Sequence, residues 1–334
     1  MPIRRFRALA NASALVLFAL ALAASTTAPA AAQDVVQDEG SAYRAWHDAS
    51  QAADTAKAIA AGRDYLAKYP TGQYADFMKK WLGTAQMGAL DAAIKAKQTA
   101  QMLAVGKDIL AGDPENLNVV YAMASQLRRE MLSNPPVYDN AAAGVELAKK
   151  GIAMIEAGKT LAGVQSFDKN ATLSWMSQIL ALNEQKNGKP EDAVKLFEKS
   201  TSYAPQDPQI AGVNLLRSLA LRQASYSEAA KAYTALPEAD RAAVESGAAD
   251  AKPEAKAARE KLNSAADDVI GVATSFVALS KAKNFGAPMR EKVNATLETV
   301  YKTRHPEDAS LAGLQKILQE KESALGAPAA SPGA

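Results

Sequence analysis

The chain has no cysteine and only two histidines among its 334 residues. The first absence removes disulfides, thiolate metal sites and cysteine nucleophiles together. The second leaves His47 and His305, too few and too far apart for a zinc set, and neither belongs to an HExxH spacing. Aromatic residues make up 6% of the chain, and runs of alternating β-branched residues are scarce. GxSxG, GxxxxGK[ST] and GxGxxG patterns are absent from the sequence, so no nucleophile elbow or phosphate-cradling loop can be assigned. Long apolar runs are also missing after the first 32 residues.

Those first residues have the organisation of a secretory signal. Arg4, Arg5 and Arg7 lead, an apolar stretch covers residues 12–24, and Ala30-Ala31-Ala32 precede Gln33. The stretch falls short of the roughly 20 residues that span a bilayer. The expected mature chain is 33–334, periplasmic or secreted, without a membrane span. Loss of the three arginines takes the net charge from +2 to −1. A near-neutral balance argues against nucleic acid as a main partner, because phosphate binding needs a concentrated basic face.

What remains is rich in alanine and leucine, with apolar residues three and four apart. That periodicity predicts an all-α fold. Residues 33–40 read as a polar lead. Residues 41–236 read as five helix hairpins, 237–258 as a charged link that is either weakly helical or mobile, and 259–322 as three helices capping the open end. Residues 323–334 read as a disordered tail. Asp113 and Pro114 are expected to open the helix of residues 115–133. Gly62-Arg-Asp-Tyr-Leu-Ala-Lys-Tyr-Pro70 aligns with Gly106-Lys-Asp-Ile-Leu-Ala-Gly-Asp-Pro114, and Gly151 marks a weaker third copy. Each glycine would let two helices approach where a side chain would not fit.

The best-formed unit is 174–207. A first helix carries Leu180 and Leu182, Asn187-Gly188-Lys189 make the turn, and Pro190 opens a second helix with Ala193, Phe197 and Ser200 before Pro205. In these residues the unit resembles a tetratricopeptide repeat. Residues 210–241 follow the pattern less closely, with 226–235 as a second helix, and the N-terminal copies repeat at 44–45 residues rather than 34. The resemblance implies a right-handed α-solenoid whose first helices line a groove for a protein or peptide. It places Trp175, Gln178, Leu182, Gln185 and Lys186 on that groove, then Ala211, Asn214, Ser218, Leu221 and Arg222. Asn214, Ser218 and Arg222 lie four apart and share one helix face. With Lys186 they are expected to meet backbone carbonyls or a carboxylate.

No catalytic residue, metal or cofactor is implied. Asp267 and Asp268 are adjacent, so on a helix they point about 100° apart and do not converge for acid–base work. Trp81, Tyr74 and Trp175 read as core, or as sugar-stacking rings if exposed together in one cleft. An enzyme or carbohydrate-binding module on a helical scaffold, and a homo-oligomer joined through residues 288–322, are the other readings.

Overall fold

The computed structural model describes residues 30–326, with side chains described for 38–325. Residues 1–29 of the expected signal and 327–334 of the expected tail lie outside the described residues; residues 323–326, expected in the disordered tail, are instead helical. Within them the chain is all helix and turn, with thirteen helices and no strand. It divides into two units, 1–85 and 86–334, each described by itself.

The first unit holds α1 (Ala30–Gln51), α2 (Thr55–Lys68) and the start of α3 (Ala75–Lys95). The residues read as a polar lead are the front of α1. The Tyr69 hydroxyl donates to Asp38 at 2.5 Å, and the Tyr65 hydroxyl donates to Glu39. Burial and then the bond to Glu39 push the Tyr65 phenol up to about 12, and the bond to Asp38, with burial, does the same for Tyr69. Trp46, Ala58, Tyr65, Ala75 and Met78 form the core. The Trp46 ring meets Phe77 and Trp81 edge-on at 5.3 and 5.1 Å. A methyl group at Gly62 would lie 3.1 Å from Met78 Sδ.

In the second unit, α4 (Thr99–Gly112), α5 (Leu117–Met131), α6 (Ala141–Glu156), α7 (Lys169–Lys186), α8 (Pro190–Tyr203) and α9 (Ala211–Thr234) each pack on the next. The glycine rule read from the sequence recurs here. A methyl at Gly106 would run into Met123, and one at Gly151 would lie 2.6 Å from Met176. Each glycine sits on an even-numbered helix and each methionine on the helix after it. At the fourth such place Ser200 of α8 faces Asn214 of α9, and a 2.7 Å hydrogen bond replaces the glycine–methionine contact. The two aligned segments end alike, with α2 and α4 both 14 residues long and stopping just before Tyr69-Pro70 and Asp113-Pro114.

Local chemistry sets the boundaries. Asp168 caps α7 by accepting from Ala171 N at 2.8 Å, Gly188 takes φ +71° in the α7–α8 turn, and Pro190 opens α8. Asn116, rather than Asp113, caps α5 by accepting from Val119 N at 3.2 Å. Asp113 instead closes α4, because Pro114 and Glu115 occupy the turn. The α6–α7 link is tied to the start of α5. Asn118 exchanges two bonds with the backbone of Ala162, and Lys159 pairs with Glu115 at 2.6 Å.

The expected fifth hairpin is one helix. α9 runs unbroken for 24 residues through 223–226, where Gln-Ala-Ser-Tyr offers no glycine or proline to end it. The charged link is ordered as α10 (Glu238–Glu245), a turn, and the first turns of α11 (Pro253–Ala282). Polar ties hold it: Lys252 to Asp240 at 2.9 Å, Tyr233 Oη to Glu245 at 3.0 Å, and Arg259 over the Tyr233 ring. α11 packs on α9, on α12 (Ala287–Arg304) and on α13 (Ala312–Gly326). The shared core contains Leu219, Val269, Phe276, Leu297 and Leu314.

Candidate partner-binding site

Six of the ten residues assigned to the groove, Trp175 and the polar ones expected to meet a partner, separate into three settings. Trp175, Gln178, Asn214 and Ser218 are buried. Trp175 packs edge-on against Tyr121 at 5.1 Å, so its faces are not offered to a sugar. Gln178 and Asn214 are brought together: Gln178 Nε2 donates to Asn214 Oδ1 at 2.6 Å, and Asn214 Nδ2 donates to Ser200 Oγ at 2.7 Å. Ser200 Oγ donates in turn to the Ser174 carbonyl at 2.6 Å. Asn214, Ser218 and Arg222 do share a face of α9, but that face is turned toward α8 and α11 rather than outward.

Arg222 shows this most clearly. Its guanidinium lies 3.2 Å from Glu191, 3.8 Å from Glu198 and 2.8 Å from Asp268. With three carboxylates from two helices around it, it is an internal clamp rather than a free ligand for a peptide carboxylate. Asp267 turns the other way and takes a two-pronged contact from Arg304 of α12 at 2.8 and 3.2 Å. The adjacent aspartates diverge, as their spacing on a helix requires.

Arg128 of α5 was not legible from sequence. Its Nε donates to Gln178 Oε1 at 2.5 Å, which heads the chain Arg128–Gln178–Asn214–Ser200–Ser174 across α5, α7, α9 and α8. Burial pulls its pKa down to about 10, against the pull of Asp207 and Tyr121, so it stays cationic at neutral pH. The available signal was a basic residue within the apolar run Val119–Met131, next to the buried Leu127.

Lys186 is exposed, at the last turn of α7, and pairs with no carboxylate among the described residues. It borders a cleft of about 440 Å³ with Tyr138, Asp139, Glu146, Asn183 and Asn187. The α5–α6 connection supplies the tyrosine and aspartate, the start of α6 the glutamate, and the end of α7 the two amides. The cleft thus presents both charge signs, one ring and two amides that can each donate and accept.

His47 is exposed, and His305 ends α12 against the Tyr301 ring. Among the described residues no group of three acidic or histidine side chains converges to hold a metal, and no helix is long and apolar enough to cross a membrane. Comparison of the chain with models of known protein families, with curated proteins and with solved structures finds no match in any of the three.

Proposed function

We propose that the chain is an exported, non-enzymatic repeat scaffold of tetratricopeptide type, and that it holds a segment of a partner protein or peptide. In this reading residues 1–32 are removed on export, and the mature protein works in the periplasm or outside the cell. The succession α4 to α9, with a glycine–methionine or serine–asparagine contact at each even-to-odd step, supports a stack of repeated units. The observation that carries the binding role is the cleft around Lys186. It joins an ammonium that pairs with no carboxylate among the described residues to two carboxylates, two asparagines and a tyrosine at the ends of neighbouring helices. The buried chain from Arg128 to Ser174 fixes the register of the helices behind it and is not itself a contact surface.

The test is crosslinking and capture from periplasmic extract with the mature chain as bait, beside Lys186→Glu and Asn183→Ala variants. A specific partner retained by the native chain and lost with Lys186→Glu supports the reading. No recovered partner, or one retained equally by both variants, refutes it. Amino-terminal sequencing of the exported protein should begin at Gln33.

A further inference from the structure

A second surface belongs to the C-terminal helices and plays no part in the cleft around Lys186. Between α8, α9, α11 and α13 lies a half-enclosed chamber of about 260 Å³. Pro205, Leu215, Leu279, Ala324 and Leu325 give it an almost wholly apolar wall. Lys321 enters this wall from α13 and donates from Nζ to Ser275 Oγ at 2.8 Å. Ser275 Oγ is already engaged, donating to the Gly271 carbonyl at 2.8 Å, so the serine supplies lone pairs but no charge. Two N–H groups of the ammonium remain.

No carboxylate among the described residues pairs with Lys321. Its neighbour Glu322 is taken by Lys281 at 2.8 Å. Burial alone pulls the Lys321 pKa down, with no nearby charge opposing it. A half-buried cation in an apolar chamber is costly unless an anion meets it. A second chamber of about 260 Å³ shares Thr201 and Leu215 with the first and is lined further by Glu198, Ser202, Ser218 and Val272; its open wall is almost wholly apolar, and Glu198 lies 3.8 Å from Arg222. The cavity therefore offers a cationic end and an apolar run leading away from it. An aliphatic carboxylate has the matching form.

From this geometry we propose that the α8–α9–α11–α13 chamber binds a medium-chain aliphatic carboxylate, with its head on the two remaining N–H groups of Lys321 and its chain along Leu215 toward Val272. The complement is one of charge and polarity together. A neutral chain would leave the ammonium unpaired, and a small anion would leave the apolar wall in water.

Calorimetric titration of the mature chain with dodecanoate and dodecanol, both below their aggregation limits, tests this. Dodecanoate should bind at one site, about tenfold or more tighter than dodecanol. Lys321→Met and Lys321→Gln should each lose that advantage, leaving the alcohol unaffected, with thermal melts showing that both variants fold. The proposal is overturned if dodecanoate does not bind, if the alcohol matches it, or if both variants keep dodecanoate affinity within about twofold.

Discussion

Replacing Asn214 by alanine should be among the most damaging single changes in the packed helices α4–α9. Asn214 is completely buried, and both of its amide atoms are engaged, at 2.6 Å with Gln178 and 2.7 Å with Ser200. Alanine leaves the Gln178 N–H without an acceptor, a loss of about 1–3 kcal/mol. Ser200 keeps its bond to the Ser174 carbonyl, so its share is smaller. With the cavity added, the total is about 2–4 kcal/mol. For a unit of this size that lowers the melting temperature by roughly 5–12 °C. Urea titration followed by circular dichroism reads the effect as a shifted midpoint with an unchanged slope. A loss under about 0.5 kcal/mol would mean that the polar chain is not paired in solution. The pair Ser200→Gly with Asn214→Met goes further, because it installs the contact found at Gly62–Met78, Gly106–Met123 and Gly151–Met176. Each single change leaves a polar atom unpaired or crowds the methionine, and the double change should recover about 1 kcal/mol relative to their sum. Strict additivity would refute the equivalence of the four places.

Gly151→Ala should cost about 0.5–2 kcal/mol, since crowding of Met176 and Val120 outweighs the helix propensity gained, whereas Gly271→Ala, with open space at its Cβ, should stabilise by about 0.5–1 kcal/mol. Melting temperatures of the two variants should therefore move in opposite directions. Asp308 accepts from Gly313 N at 2.7 Å and Ala312 N at 3.1 Å at the start of α13, and these bonds, chiefly that from Gly313, hold its pKa below the ordinary 3.8. Its contribution is present above that ordinary value and is lost as pH falls through the lower folded value. Amide exchange in α13 should accelerate there, and Asp308→Asn should flatten the dependence. Arg222→Met should cost about 1 kcal/mol, reduced in high salt, because its three carboxylates are largely exposed and screened; a loss independent of salt would contradict the clamp.

The parts of this fold that sequence revealed are those where only one residue type will serve. Gly62, Gly106 and Gly151 announce close helix contacts, because a methyl group would run into a methionine at Gly106 and Gly151 and crowd one at Gly62. Pro190 and Gly188 mark a turn that needs their backbone conformations. The parts that stayed hidden depend on what lies opposite. Four-residue spacing puts Asn214, Ser218 and Arg222 on one face, but says nothing of α11, which starts some thirty residues further on. The unbroken course of α9 was masked because the repeat pattern suggests a break that no residue enforces. Arg128 reads as a surface charge until Gln178, fifty positions later, is seen to meet it. Of the six groove residues expected to meet a partner, Lys186 alone borders the polar cleft at the ends of α6 and α7, since a helix's last turn stays exposed whatever covers its middle.

The continuity of α9 ties the two halves of the second unit to one another. At about 1.5 Å per residue it is a rod of roughly 36 Å, flanked by α8 on the side of the earlier helices and by α11 on the C-terminal side. Strain or ligand at one flank meets the other through a rigid member rather than a hinge. A fragment ending at residue 236 would bare Leu219, Ala229 and Tyr233 to water, and one beginning at 237 would strip α11 of its main support. Proteolysis of the native chain should accordingly spare this helix and release no stable half.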